Sequence, residues 1–124
     1  MLAQLVDRVY SVERIRELAV RAREQLDALR ISNVAILVGD GTIGWSRYAP
    51  YDAILVAAGG PEVPRPLMEQ LSPDGGRMLI PIGSRTMQRL MLVERSGENW
   101  TQREVTECTF VPLLGRFGWA SEAS

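Results

Sequence analysis

The sequence predicts an α/β fold: an open, mostly parallel sheet whose strands alternate with helices, followed by an antiparallel pair near the C-terminus. Three observations carry this. The chain has 124 residues, 46% of them hydrophobic and 23% charged, with a formal net charge of -1, as in one globular domain with enough apolar side chains for a core. Two apolar runs, Val34–Val38 and Asp52–Ala58, lack the polar alternation of a half-exposed strand and suit strands buried on both faces. Between strand-like runs lies a long segment with helical spacing. No repeat, low-complexity tract or linker divides the chain, so residues 1–124 are read as one domain.

Taken in order, Leu2, Leu5 and Val6 fall at i, i+3 and i+4 and predict one or two turns of an apolar helix face, with no residue before them to cap it. Val9–Val12 reads as a strand closed by Glu13. From Arg14 to Arg30 the residues Ile15, Leu18, Ala19, Ala22, Leu26 and Leu29 form one stripe, with Arg16, Arg23, Glu24 and Asp27 on other faces, which predicts an amphipathic helix. Val34–Val38 ends at Gly39-Asp40-Gly41, and Asp52–Ala58 ends at Gly59-Gly60-Pro61. A short helix over Arg65–Leu71 carries Pro66 in its first turn. Asp74-Gly75-Gly76 turns into a strand at Arg77–Ile82. Gln88–Glu94 and Thr101–Glu107 flank the turn-forming Ser96-Gly97-Glu98-Asn99 and make the antiparallel pair. Phe110-Val111-Pro112-Leu113 leads into a glycine-rich, irregular tail.

Composition narrows the chemistry. The chain has no His, and all 14 of its Lys+Arg residues are Arg. Serine–histidine and cysteine–histidine couples, histidine-ligated zinc, Schiff-base lysines and a phosphate-loop lysine are therefore excluded. No metal site is expected. The single cysteine, Cys108, cannot form an internal disulfide and reads as an ordinary strand residue in a reducing cytoplasm. The near-neutral charge argues against nucleic-acid partners, and no apolar run is long enough to cross a membrane. A cytoplasmic location is expected.

Ligands of open α/β sheets bind beyond the carboxyl ends of the strands, and three features fall there. Glu13 ends the first strand. An ionised carboxylate at that point can accept hydrogen bonds from both ribose hydroxyls of a nucleotide, or it can serve as a first-turn carboxylate for the following helix. Gly39-Asp40-Gly41 can admit a flat ring and offer Asp40 to an exocyclic amine, or form a plain Asp-Gly turn. Ala57–Pro61 can wall a pocket with small residues. In nucleotide-binding α/β units the ribose acid follows its glycine-rich loop by ~20 residues. Counting back that far from Glu13 passes Met1, so the loop and the strand before it are expected to lie outside this sequence.

The segments VYSVERI (Val9–Ile15), VGDGTIGW (Val38–Trp45), APYDAILV (Ala49–Val56), GGRMLIPIG (Gly75–Gly83) and FVPLLGRFG (Phe110–Gly118) closely resemble those of the protein-L-isoaspartate O-methyltransferases, in the same order through nearly the whole chain. The resemblance implies a Rossmann-like methyltransferase fold. It also implies methyl transfer from S-adenosylmethionine to the carboxylate of L-isoaspartyl residues in damaged proteins, leaving S-adenosylhomocysteine. The ester then promotes cyclisation to a succinimide and partial return to aspartate.

Carried over by motif, Glu13 would hold the ribose with Arg14 beside it, Asp40 and Gly41 would hold the adenine end, and Val111, Pro112 and Leu113 would line the peptide site. No catalytic residue is assigned. The family's first strand, its glycine-rich loop and an active-site hydroxyl correspond to positions before Met1, which implies an N-terminally truncated, partial domain with two strand edges unpaired. A histidine-free site suits this reaction, because a carboxylate is already ionised at neutral pH and a sulfonium donor carries its own leaving group. Two other readings stand beside it. One is an inactive remnant acting as a homo-oligomer or beside a separate N-terminal segment. The other, a nicotinamide-dependent fragment, fits Glu13 but not VGDGTIGW or FVPLLG.

Overall fold

A computed structural model describes residues 2–120 and forms two compact units, one up to Gly41 and one from Thr42 onward. In the first unit a 3-10 turn at Leu2–Gln4 takes the place of the predicted α-helical turns. Strand β1 (Val9–Glu13), helix α1 (Arg16–Ala28) and strand β2 (Val34–Val38) follow. The strands pair in parallel, Val9 opposite Val34 and Glu13 opposite Val38. A parallel pair needs a crossover, and α1 supplies it. Arg23 ties the helix to the sheet: its guanidinium donates to the Val34 carbonyl at 2.6 Å and to Asp27 at 3.2 Å. Asn33 ties the N-terminal turn down by donating to the carbonyls of Ala3 and Val6.

Helix α1 ends in a Schellman arrangement. The Ile31 amide donates to the Leu26 carbonyl and the Arg30 amide to the Asp27 carbonyl. Arg30 takes the left-handed conformation there, at φ 58°, a position that usually favours glycine. Among the described residues of this unit only Ala3 and Ala19 are buried, while Leu5, Leu18, Val20, Leu29 and Val38 are exposed.

The second unit holds strand β3 (Ala53–Leu55), helix α2 (Arg65–Gln70) and strands β4 (Asp74–Gly83), β5 (Gln88–Ser96) and β6 (Asn99–Cys108). They form one sheet in the order β3-β4-β5-β6, with β3 parallel to β4 and the other two pairings antiparallel. The sheet is therefore mixed, not mostly parallel, and the antiparallel part has three strands instead of two. Length and connection explain it. Strands β4 to β6 run 9 or 10 residues each and are joined by short turns, which allow antiparallel partners without a crossover. The run at Asp52–Ala58 keeps strand geometry only over three residues, because beyond Leu55 the chain passes into single bridges at Gly59 and Gly60. Among the described residues β1 pairs only with β2 and β3 only with β4.

The core of this unit is Leu67, Leu71, Met78, Ile80, Val93 and Leu113, packed between α2, β4, β5 and the C-terminal segment. Two aromatic and cationic side chains close the end of α2. Trp100 Nε1 donates to the Met68 carbonyl at 3.0 Å, and Arg95, stacked 4.7 Å from the Trp100 ring centre, donates to the carbonyls of Glu69 and Leu71. The Arg95 bonds serve carbonyls at the end of α2, and Trp100 adds a second donor to Met68, which also accepts from the Leu71 amide. No described helix is long and apolar enough to cross a membrane.

Ile80 is fully buried, so Ile80→Ala should lower unfolding free energy by about 2–5 kcal/mol in urea titrations. Arg30→Gly, by contrast, should raise it by up to about 1 kcal/mol, since glycine adopts the left-handed turn without steric cost.

Candidate functional site

The carboxyl ends of β1 and β2 meet through one backbone bond: the Gly39 amide donates to the Glu13 carbonyl at 3.0 Å. Because the two strands are parallel and Glu13 lies opposite Val38, the Glu13 side chain and the Gly39-Asp40-Gly41 turn arise at the same end of the pair. The Glu13 carboxylate accepts from the Ile15 amide at 3.1 Å through Oε1. Both readings of Glu13 are thus compatible. One oxygen satisfies an orphan amide at the start of α1, and this orients the carboxylate while its second oxygen stays available as an acceptor. Arg14 lies in the exposed bend between β1 and α1.

The glycine turn leaves room. A Cβ on Gly41 would meet no atom within 4 Å, and one on Gly39 would reach only ordinary contact with Leu37, 3.9 Å away. Neither glycine is required by its own packing. Space, an acceptor carboxylate at Glu13 and a second carboxylate at Asp40 are what a nucleoside with two vicinal hydroxyls and an exocyclic amine needs.

The second group of predicted residues, Val111-Pro112-Leu113, is held in the other unit by Gly59. The Gly59 amide donates to the Val111 carbonyl at 2.7 Å, and the Leu113 amide donates to the Gly59 carbonyl at 2.8 Å. Gly60 uses its polar groups on the opposite side, donating to Pro81 and accepting from Gly83, both at 3.0 Å. These two glycines therefore join the end of β4 to the C-terminal segment. Trp119 closes the turn that follows, its amide donating to the Leu113 carbonyl and its indole Nε1 to Gly59. The segment is anchored at one end and presented at the other: Leu113 is 8% exposed and Val111 69%. The tail is thus less irregular than its glycines suggest.

Two buried glutamines escaped the sequence reading. Gln88 donates to the Ser84 carbonyl and accepts from the Phe110 amide, both at 2.7 Å. Gln70 donates to the Ile43 carbonyl at 2.8 Å and accepts from the Trp45 amide at 3.0 Å. Each is packed against a glycine: a Cβ on Gly59 would lie 2.7 Å from Gln88, and one on Gly44, which has φ 72°, would lie within 3 Å of Gln70 and Leu67. A glutamine paired with a distant glycine leaves no local sequence signal. Among the described residues, no three histidine, cysteine or acidic side chains gather where they could hold a metal.

The first unit has the arrangement typical of α/β proteins of the nucleotide-cofactor-binding class, with acidic and glycine-bearing residues at the carboxyl ends of parallel strands. Residues 1–118 match the sequence model of the protein-L-isoaspartate(D-aspartate) O-methyltransferase family, and the chain belongs to that family. It is 50% identical over 123 residues to protein-L-isoaspartate O-methyltransferase 2 of Geotalea uraniireducens strain Rf4, covering 98% of this chain and 56% of that protein. It is 51% identical to the Geobacter metallireducens enzyme, with the same coverage of both chains. The chain thus spans about half the length of these curated relatives. Among solved structures, a protein-L-isoaspartate O-methyltransferase matches with a TM-score of 0.81 and 33% identity, over 90% of this chain and 35% of that one. A Plasmodium falciparum structure in complex with S-adenosyl-L-homocysteine shares the fold, with a TM-score of 0.71 and 24% identity over 86% of this chain and 52% of that one.

Gly59→Ala should destabilise the chain by about 1–3 kcal/mol in thermal or urea melts, because the new methyl group drives into Gln88, whose amide is fixed at both ends.

Proposed function

We propose that this chain serves a protein-L-isoaspartate O-methyltransferase: it supplies the adenosine-binding residues for S-adenosylmethionine and the segment that receives the isoaspartyl peptide of a damaged protein. The observation that carries the reading is the Gly39–Glu13 backbone bond, which joins an acceptor carboxylate to an open Asp-Gly turn at the ends of two parallel strands. Glu13 accepts the ribose hydroxyls with the oxygen that the Ile15 amide leaves over, and Arg14 lies beside it. Asp40 accepts from the adenine amine, with the ring against Gly41. Val111, Pro112 and Leu113 line the peptide site, where an exposed Val111 carried on a fixed backbone can bear on an extended chain.

The cofactor, when bound, supplies the methyl group and a neutral thioether leaving group, so the residues present need only bind, orient and exclude water around an already ionised carboxylate. No side chain of this sequence is given a catalytic proton. Membership of the family favours methyl transfer over a purely associative role, whether as a homo-oligomer or beside a separate N-terminal segment. The composition, with one cysteine and no disulfide, supports a cytoplasmic location.

Calorimetric titration of S-adenosylhomocysteine into the chain tests the reading. Glu13→Gln can still accept from Ile15 but presents an amide donor to the ribose. It should weaken binding about tenfold to a hundredfold, the range for a lost hydrogen bond to a charged group, with little change in melting temperature. Unchanged affinity in that variant, or tighter binding of NAD than of S-adenosylhomocysteine, would sink the assignment.

A further inference from the structure

Gln88 is the first residue of β5 and is 1% exposed. Its side chain touches three separate stretches of chain. Nε2 donates to the Ser84 carbonyl in the turn before β5, Oε1 accepts from the Phe110 amide, and its Cγ and Cδ fill the space where a Cβ on Gly59 would stand. Gly59 in turn holds both Val111 and Leu113 through its own amide and carbonyl. The core retains Leu113, but nothing comparable buries Val111. At that exposed end the backbone is fixed by two bonds in succession, Phe110 to Gln88 and Val111 to Gly59, and Gln88 supports the glycine as well.

We infer that Gln88 is a positioning residue for peptide recognition: without touching the peptide, it sets the height and direction at which Val111 and Pro112 are presented to an isoaspartyl chain. The inference rests on the reading of Val111–Leu113 as the peptide segment. An amide is the group the position requires. A carboxylate would keep the acceptor for Phe110 but set its charge against the Ser84 carbonyl, and an apolar side chain of equal length would fill the space and lose both bonds.

The test is equilibrium binding of a labelled hexapeptide with one L-isoaspartyl residue, and of its aspartyl isomer, to the full chain as wild type, Gln88→Met and Gln88→Glu. S-Adenosylhomocysteine affinity, melting curves and hydrogen exchange at the Phe110 amide are measured in parallel. Gln88→Met should weaken the isoaspartyl peptide about tenfold, near the upper range for one neutral hydrogen bond. It should also speed exchange at Phe110 and leave S-adenosylhomocysteine affinity unchanged. Gln88→Glu should fall between it and wild type.

A cooperatively melting Gln88→Met that binds the peptide as tightly as wild type overturns the inference. If that variant alone fails to fold, Gln88→Glu decides, and wild-type peptide affinity in it has the same consequence. Loss of cooperative melting in both variants also overturns it, since Gln88 would then be a folding residue. A wild-type chain that does not prefer the isoaspartyl peptide overturns instead the underlying reading of the segment.

Discussion

The side chain of Gln88 is sealed from water, and its amide carries a donor and an acceptor that must both be bonded inside the protein. An unpaired buried amide costs about 1–3 kcal/mol, so whatever meets it is held in register. Here the partners come from the turn before β5 and from Phe110, with Gly59 packed on the stem between them. Gln70 does the same for Ile43 and Trp45 beside Gly44. Among the described residues no buried side-chain nitrogen or oxygen lacks a partner. The second unit thus uses polar groups, not only its aliphatic core, to fix the loops that leave its sheet.

Gly59 and Gly60 show why glycine belongs at this junction. Successive residues of an extended chain point their amides and carbonyls to opposite sides, so two residues can bridge two neighbours. Gly59 faces Val111 and Leu113, and Gly60 faces Pro81 and Gly83. A side chain on Gly59 would collide with Gln88, and one on Gly60 would crowd Leu113 at 3.3 Å.

Much of this was legible in the residues. The stripe from Ile15 to Leu29 gives α1, and the unbroken apolar run at Val34–Val38 gives β2. Glu13 and the Asp40 turn stand out because strand ends are where an α/β sheet binds ligands. Strand direction was the weaker inference. Apolar runs tell that Arg77–Ile82 and Gln88–Glu94 are strands, but direction follows from connections, and the short turn at Ser84–Met87 makes them antiparallel. The peptide-site reading of Val111–Leu113 comes from family resemblance alone, since no spacing or composition singles the segment out. Gln88 was not legible at all, because a polar residue opening a strand looks solvent-facing until Phe110, 22 residues later, folds back onto it. Arg30 is a similar case: its left-handed backbone is imposed by the bonds that end α1, without the glycine that usually announces such a turn.

The uneven burial of the two units bears on how a ligand would act. Among the described residues up to Gly41 only two alanines are buried, whereas the second unit encloses a cluster of six apolar residues. Regions with few buried apolar contacts open locally at a fraction of the free energy of global unfolding. Glu13 and Asp40 stand in that less secured part. Any nucleoside held by them is linked to its local opening equilibrium: part of the binding energy goes to suppressing those excursions, and apparent affinity falls as they become more frequent. Substitutions that loosen α1 or β2, though far from any ligand atom, would then register as losses of affinity.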